Sequence, residues 1–148
     1  MPTDLKFKVK FRVPCYIIYQ ALSSEDIITR YTQSKTIYPT KEGEEFSLYD
    51  GSIKGVVTEL VQNIKIVQTW KFPNWGEAAE CKYTIKEAKG QECEIQVELK
   101  GIPDKDIFNK TIEHDNIQAG FMQQIFDNIS KWLGYPQNKE ETDSEDED

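Results

Sequence analysis

No apolar run in this sequence is long enough to cross a bilayer. The N-terminus, Met1-Pro2-Thr3-Asp4-Leu5-Lys6, mixes charge with apolar residues and has no h-region, which argues against a secretory signal. The cytosol is therefore the expected compartment, and no membrane is expected as a partner. Cysteine is sparse: Cys15, Cys81 and Cys93 form an odd set with no CxxC pair, too few and too scattered for a disulfide framework or a zinc knot. Buried free thiols are the expectation. The one histidine, His114, has no ligand-type residues at metal spacing around it and reads as a structural histidine. Neither GxSxG, a Gly-rich phosphate loop, HExxH nor a nucleophile–base pairing occurs. Charged residues alternate outward along strands instead of converging. No catalytic residue, metal or cofactor is nominated, and an enzyme is not expected.

Positive charge in excess is also missing. The net charge is −8, but residues 140–148, EETDSEDED, hold seven acidic groups and no basic one. The other 139 residues carry 18 basic against 19 acidic groups, close to neutrality. A nucleic-acid partner is disfavoured because there are too few unpaired cations to release counterions. The expected organisation is one domain over residues 1–136 and a disordered acidic tail over residues 137–148. Thr142 and Ser144 lie in an acidic context that acidophilic kinases favour, although a purely solubilising tail explains the same composition.

The sequence is rich in alternation. Leu5, Phe7, Val9, Phe11 and Val13 interleave with Lys6, Lys8, Lys10 and Arg12, so a strand there covers a core on one face only. Pro14 ends that strand and suits a helix start. Tyr16, Ile17, Ile18, Ala21 and Leu22 follow at helical spacing, and Ser23 or Ser24 can cap a second short helix through Tyr31. Phe46 and Leu48 precede Asp50-Gly51, a hairpin signal, before strands expected at 53–61 and 65–72. Cys81, Tyr83 and Ile85, and then Cys93, Ile95, Val97 and Leu99, are apolar at odd positions only. Facing residues of a hairpin share a side of the sheet, so odd must pair with odd. A three-residue loop, Ala88-Lys89-Gly90, meets that condition. Ile117, Phe121, Ile125 and Ile129 then mark a long helix whose stripe is widened by Met122, Phe126, Trp132 and Leu133, with Gly134 as its stop. The predicted fold is α+β: a curved antiparallel sheet of about six strands wrapped around the C-terminal helix, with two short helices after strand 1.

That order resembles the START-related helix-grip superfamily. Within it, the chain is similar to the C-terminal domain of the activator of heat-shock protein 90 ATPase. The residues that carry the likeness run from Phe46 to Trp75: Asp50-Gly51, Gly55, Thr58-Glu59-Leu60-Val61, Ile66-Val67-Gln68, Trp70-Lys71-Phe72 and Trp75. Gly101-Ile102-Pro103 and Gly134-Tyr135 also fit, whereas Phe121 stands where the family more often has Trp. The resemblance implies a monomeric co-chaperone that binds heat-shock protein 90 and modulates or stimulates its ATPase cycle. Full-length members carry a further N-terminal domain, so this part is expected to dock on the chaperone's N-terminal ATPase domains.

Two groups of residues are candidates for function. Trp75 lies past the strand and after Pro73, so it is expected to be an exposed aromatic anchor for a partner, while Trp70 is expected in the core. Lys6, Lys8, Lys10 and Arg12 are either the wet face of a sheet or a contact for an acidic partner or the chain's own tail. The rival function is a carrier of a small hydrophobic ligand in a cavity between sheet and helix, lined by Trp70, Tyr83, Ile95, Val97, Phe121 and Ile125. The bulk of those side chains argues instead that they fill the space.

Overall fold

The computed structural model describes residues 3–89, 92–134 and 137–140. Strand β1 (Thr3–Phe11) buries Phe7, Val9 and Phe11 on one face, as period two requires. Pro14 precedes helix α1 (Cys15–Ser23), which buries Ile18, Ala21 and Leu22. Helix α2 (Glu25–Thr32) is capped by Ser24, whose Oγ accepts from the Ile27 N–H at 3.4 Å. Glu25, in its first turn, also accepts from the Tyr38 N–H at 2.9 Å and so pins the following loop.

Strands β2 (Glu45–Leu48), β3 (Ile53–Val61), β4 (Lys65–Trp70), β5 (Ala79–Ala88) and β6 (Glu92–Ile102) follow. All pairings are antiparallel, and the sheet order is β2-β3-β4-β5-β6-β1, closed at the far edge by a short β7 (Gln137–Glu140). The sheet therefore continues four residues past the domain boundary expected at 136. Residues 135, 136 and 141–148, with the candidate phosphorylation sites, lie outside the described residues.

The β5–β6 hairpin obeys the parity rule: Cys81 faces Leu99, Tyr83 faces Val97 and Ile85 faces Ile95. The register itself differs by two residues from the one expected. Ala88 pairs with Glu92, so the loop is 89–91 and not 88–90, and Ala88 belongs to the strand. Both loops preserve parity, so the alternation of apolar residues does not choose between them. Gly90 and Gln91 lie outside the described residues.

Gly55 sits where β3 passes between β2 and β4. A Cβ there would lie 1.7 Å from the Thr69 carbonyl oxygen and 2.7 Å from the Phe46 ring, so only glycine fits this crossing.

The C-terminal helical segment is not a uniform α-helix. It runs as α3 (His114–Phe121), a π turn (Met122–Phe126) and α4 (Asp127–Leu133), ending at Gly134 with φ of 77°. The wider turn inserts a residue and rotates the apolar stripe midway. Ile125, Phe126 and Ile129 are buried in the sheet, while Ile117 and Phe121 are half-buried at one end. Phe126 is the centre of the grip: its ring lies 6.3 Å from Phe7 and 6.4 Å from both Phe11 and Tyr83. Trp132, expected on the gripped stripe, instead leans on Tyr31 of α2 at 6.5 Å and stays 36% exposed. The architecture is the α+β helix-grip arrangement.

Candidate functional site

The outer face of the sheet carries the cationic row of β1. Acidic β6 runs between β1 and β5, and places Glu98 between Lys6 and Lys82, each at 3.4 Å. Glu92 meets Arg12 at 3.5 Å, and Glu94 stands opposite Lys10 in register and 3.7 Å from Lys86. Burial alone would push the Glu98 carboxyl up, but hydrogen bonds and charge from Lys82 and Lys6 outweigh it and hold it below the usual carboxylate range. Lys6 and Arg12 are thus engaged within the sheet, and Lys10 has a partner too. β7 pairs with β1 on its other side, with Lys8 opposite Glu140 in the backbone register.

Trp75 corrects the expectation of an exposed anchor: it is only 4% exposed. The Trp75 N–H donates to the Phe72 carbonyl at 3.0 Å, so the chain folds back after Pro73 and returns the indole to the core. There it packs on Trp70 at 4.9 Å and Phe72 at 5.4 Å, and Trp70 in turn meets Phe121 at 5.2 Å. Alternation could place Trp70, but it carries no information about a residue beyond a turn.

Among the described residues, the most exposed aromatic lies elsewhere. Residues 103–113 form a loop whose tip presents Ile107, 60% exposed, and Phe108, 68% exposed. The tip is held firmly. Asp106 Oδ1 accepts from the Phe108 and Lys110 N–H groups at 2.9 and 3.0 Å, and its Oδ2 accepts from Asn74 Nδ2 at 2.8 Å. The Ile107 N–H donates to the Asn74 carbonyl at 2.8 Å. The backbone N–H of Lys110 is the largest influence on Asp106 and, with the Asn74 and Phe108 donors, holds its carboxyl below the usual range. No periodicity marks this loop. The only signal in the sequence is two large apolar residues side by side in the polar run Asp104-Lys105-Asp106-Ile107-Phe108-Asn109-Lys110.

Between α3, the π turn and the β2–β4 end of the sheet lies a cavity of about 510 Å³. Of the residues expected to line it, Trp70, Tyr83, Phe121 and Ile125 do so. Ile95 and Val97 do not: both are fully buried in the packed core, because the Phe126 ring fills the space over that part of the sheet. Tyr49 ties the β2–β3 loop to the helix across the cavity rim, its hydroxyl donating to the Gln124 carbonyl and accepting from Asn128 Nδ2 at 3.1 Å.

The three thiols are free, with Cys81 and Cys93 buried and Cys15 half-buried. Burial pushes all three up, so they stay protonated and weakly nucleophilic at neutral pH. Among the described residues no cluster of three or more His, Cys, Asp or Glu side chains could hold a metal ion.

Comparison with known proteins supplies the family. A family model described as Activator of Hsp90 ATPase homolog 1-like protein matches residues 12–134. The Activator of 90 kDa heat shock protein ATPase homolog of Dictyostelium discoideum is 35% identical over 133 residues, 88% of this chain and 33% of that protein. The human homolog 1 is 25% identical over 119 residues, 80% of this chain and again 33% of that protein. The chain thus spans about a third of the length of these curated relatives. The crystal structure of an HSP90 activator from Plasmodium falciparum superposes with a TM-score of 0.85 at 27% identity, covering 91% of this chain and 99% of that one. With the fold, the Phe46–Trp75 stretch and a match running from Arg12 to Gly134 in agreement, the chain belongs to the Activator of Hsp90 ATPase homolog 1-like family.

Proposed function

We propose that this domain is a monomeric, cytoplasmic co-chaperone module that binds heat-shock protein 90 at its N-terminal ATPase domains and modulates its ATPase cycle, with no catalysis of its own. The observation that carries this reading is the near-complete correspondence with a Plasmodium falciparum HSP90 activator, 99% of whose chain is covered. The mechanism is differential affinity: a module that prefers the closed clamp shifts the chaperone toward it and needs no chemistry. The exposed Ile107–Phe108 tip is the proposed apolar anchor, since an aromatic on a pre-ordered loop loses little freedom on docking. The engaged cations of β1 take the lesser role of an electrostatic rim.

The test is ATP turnover by the chaperone with and without this chain, together with a binding titration. Binding tighter than about 100 μM and altered turnover are expected, with affinity weakened about fivefold or more by Phe108→Ser. No interaction at that concentration would end the proposal. Wild-type affinity for the Phe108→Ser variant would move the anchor to another surface.

A further inference from the structure

Two of the three cysteines, far apart in the sequence, meet in the fold. Cys93 lies on β6 with no exposed surface, opposite Phe11 of β1 on one side and Glu87 of β5 on the other. Cys15 opens α1, just past Pro14, and that helix packs on β5 and β6. The Cys93 and Cys15 thiols are hydrogen-bonded to each other. Cys81 stands apart: it faces Leu99 across the sheet, and its thiol bonds to Tyr83. Packing asks only for small apolar groups at such places. Contact between two thiols adds a chemistry that alanine would not.

The two sulfurs differ in access. Cys15 is half-buried and lines a surface recess of about 410 Å³ with Pro14, Glu87 and Glu92, while Cys93 is closed off from solvent. They differ in acidity as well. Burial is the largest influence and pushes both up, but the bond between them lowers Cys15 and raises Cys93, as it does when Cys93 donates and Cys15 accepts. Cys15 is thus reached first and is the more readily ionised of the pair, with Cys93 placed to resolve it.

We propose that Cys15 and Cys93 form a reversible oxidation site whose substrate is a small uncharged peroxide. The Cys15 thiolate attacks one peroxide oxygen, the O–O bond breaks, and the departing hydroxide or alkoxide takes up a proton. Cys15 becomes a sulfenic acid. The Cys93 sulfur then attacks the Cys15 sulfur, the S–O bond breaks, and the hydroxyl leaves with the Cys93 proton as water. Together the two thiols give up two electrons, and the peroxide receives them. Arg12 is engaged with Glu92 at 3.5 Å, which leaves Glu87 to set the sign of the recess and to disfavour an anionic oxidant such as glutathione disulfide. Neither thiol is acidic, so the site is no fast scavenger; its advantage is that contact makes the second step intramolecular. A reducing thiol pool makes the bond transient. The inference stands independently of the co-chaperone reading.

Peptide mapping tests it. The full chain is treated with hydrogen peroxide, the remaining thiols are alkylated, and tryptic peptides are analysed without reduction. Peptides 13–30 and 90–100 are expected to be joined through Cys15 and Cys93, about tenfold or more above any link to Cys81, and to separate with dithiothreitol. In Cys93→Ala, dimedone should label Cys15 as the stranded sulfenic acid, and in Cys15→Ser the Cys93 thiol should survive the same treatment. The wild-type map decides even where a variant fails to fold. Oxidation of Cys15 onward to the sulfinic acid with no link to Cys93 would overturn the proposal. So would links spread evenly over the three cysteines, or three intact thiols when methionine has already been oxidised.

Discussion

Single residues hold this fold at places that differ in kind. Gly55 is a steric requirement: Gly55→Ala should destabilise by about 3 kcal/mol, the upper end for overpacking, because the obstacle is the Thr69 backbone and not a yielding side chain. Denaturant midpoints check this. Phe126 and Phe121 separate by burial. Phe126→Ala should cost about 3–5 kcal/mol, while Phe121→Ala, at the cavity edge, should cost about half that or less. The stripe in the sequence pointed to both rings alike, and the π turn decided between them. Asp106 acts locally. Asp106→Ala should speed hydrogen exchange at the Phe108 and Lys110 amides several-fold while leaving the core amides unchanged.

Among elements, the C-terminal helical segment departs furthest from its sequence pattern. A period of 3.6 carries no sign of an inserted residue, so the stripe reads as continuous from Ile117 to Leu133 although it turns at Met122–Phe126. Tyr49 shows how the sheet holds that turn. Tyr49→Phe removes the hydroxyl that bridges the Gln124 carbonyl and Asn128, and should lower stability by about 1 kcal/mol with the fold intact. The β5–β6 hairpin shows the opposite balance. Its parity was legible because one face had to be dry, but its register was not, since a shift of two residues leaves every side chain on its proper face.

For the whole molecule, the outer face matters as a charge ladder, with acidic β6 between basic β1 and β5. Glu98 has a folded-state pKa below its unfolded value, so its contribution is present above the unfolded value and is lost as pH falls through the folded one. Acid titration of stability should therefore fall through and below the usual carboxylate range. Glu98→Gln should flatten part of that limb by about 0.5–1 kcal/mol, a small effect because its lysine partners are largely solvated.

The sequence alone determined what depends on periodicity and composition: the strand faces, the two short helices with a serine cap, the sheet-and-helix architecture and the near-neutral body. These are local properties, written residue by residue. Tertiary structure decided the burial of Trp75, the exposure of Ile107 and Phe108, and the division of the helix between a filled core and an open cavity. Each depends on where a turn sends the chain and on which distant side chain reaches a space first, and neither is recorded in the spacing of neighbours.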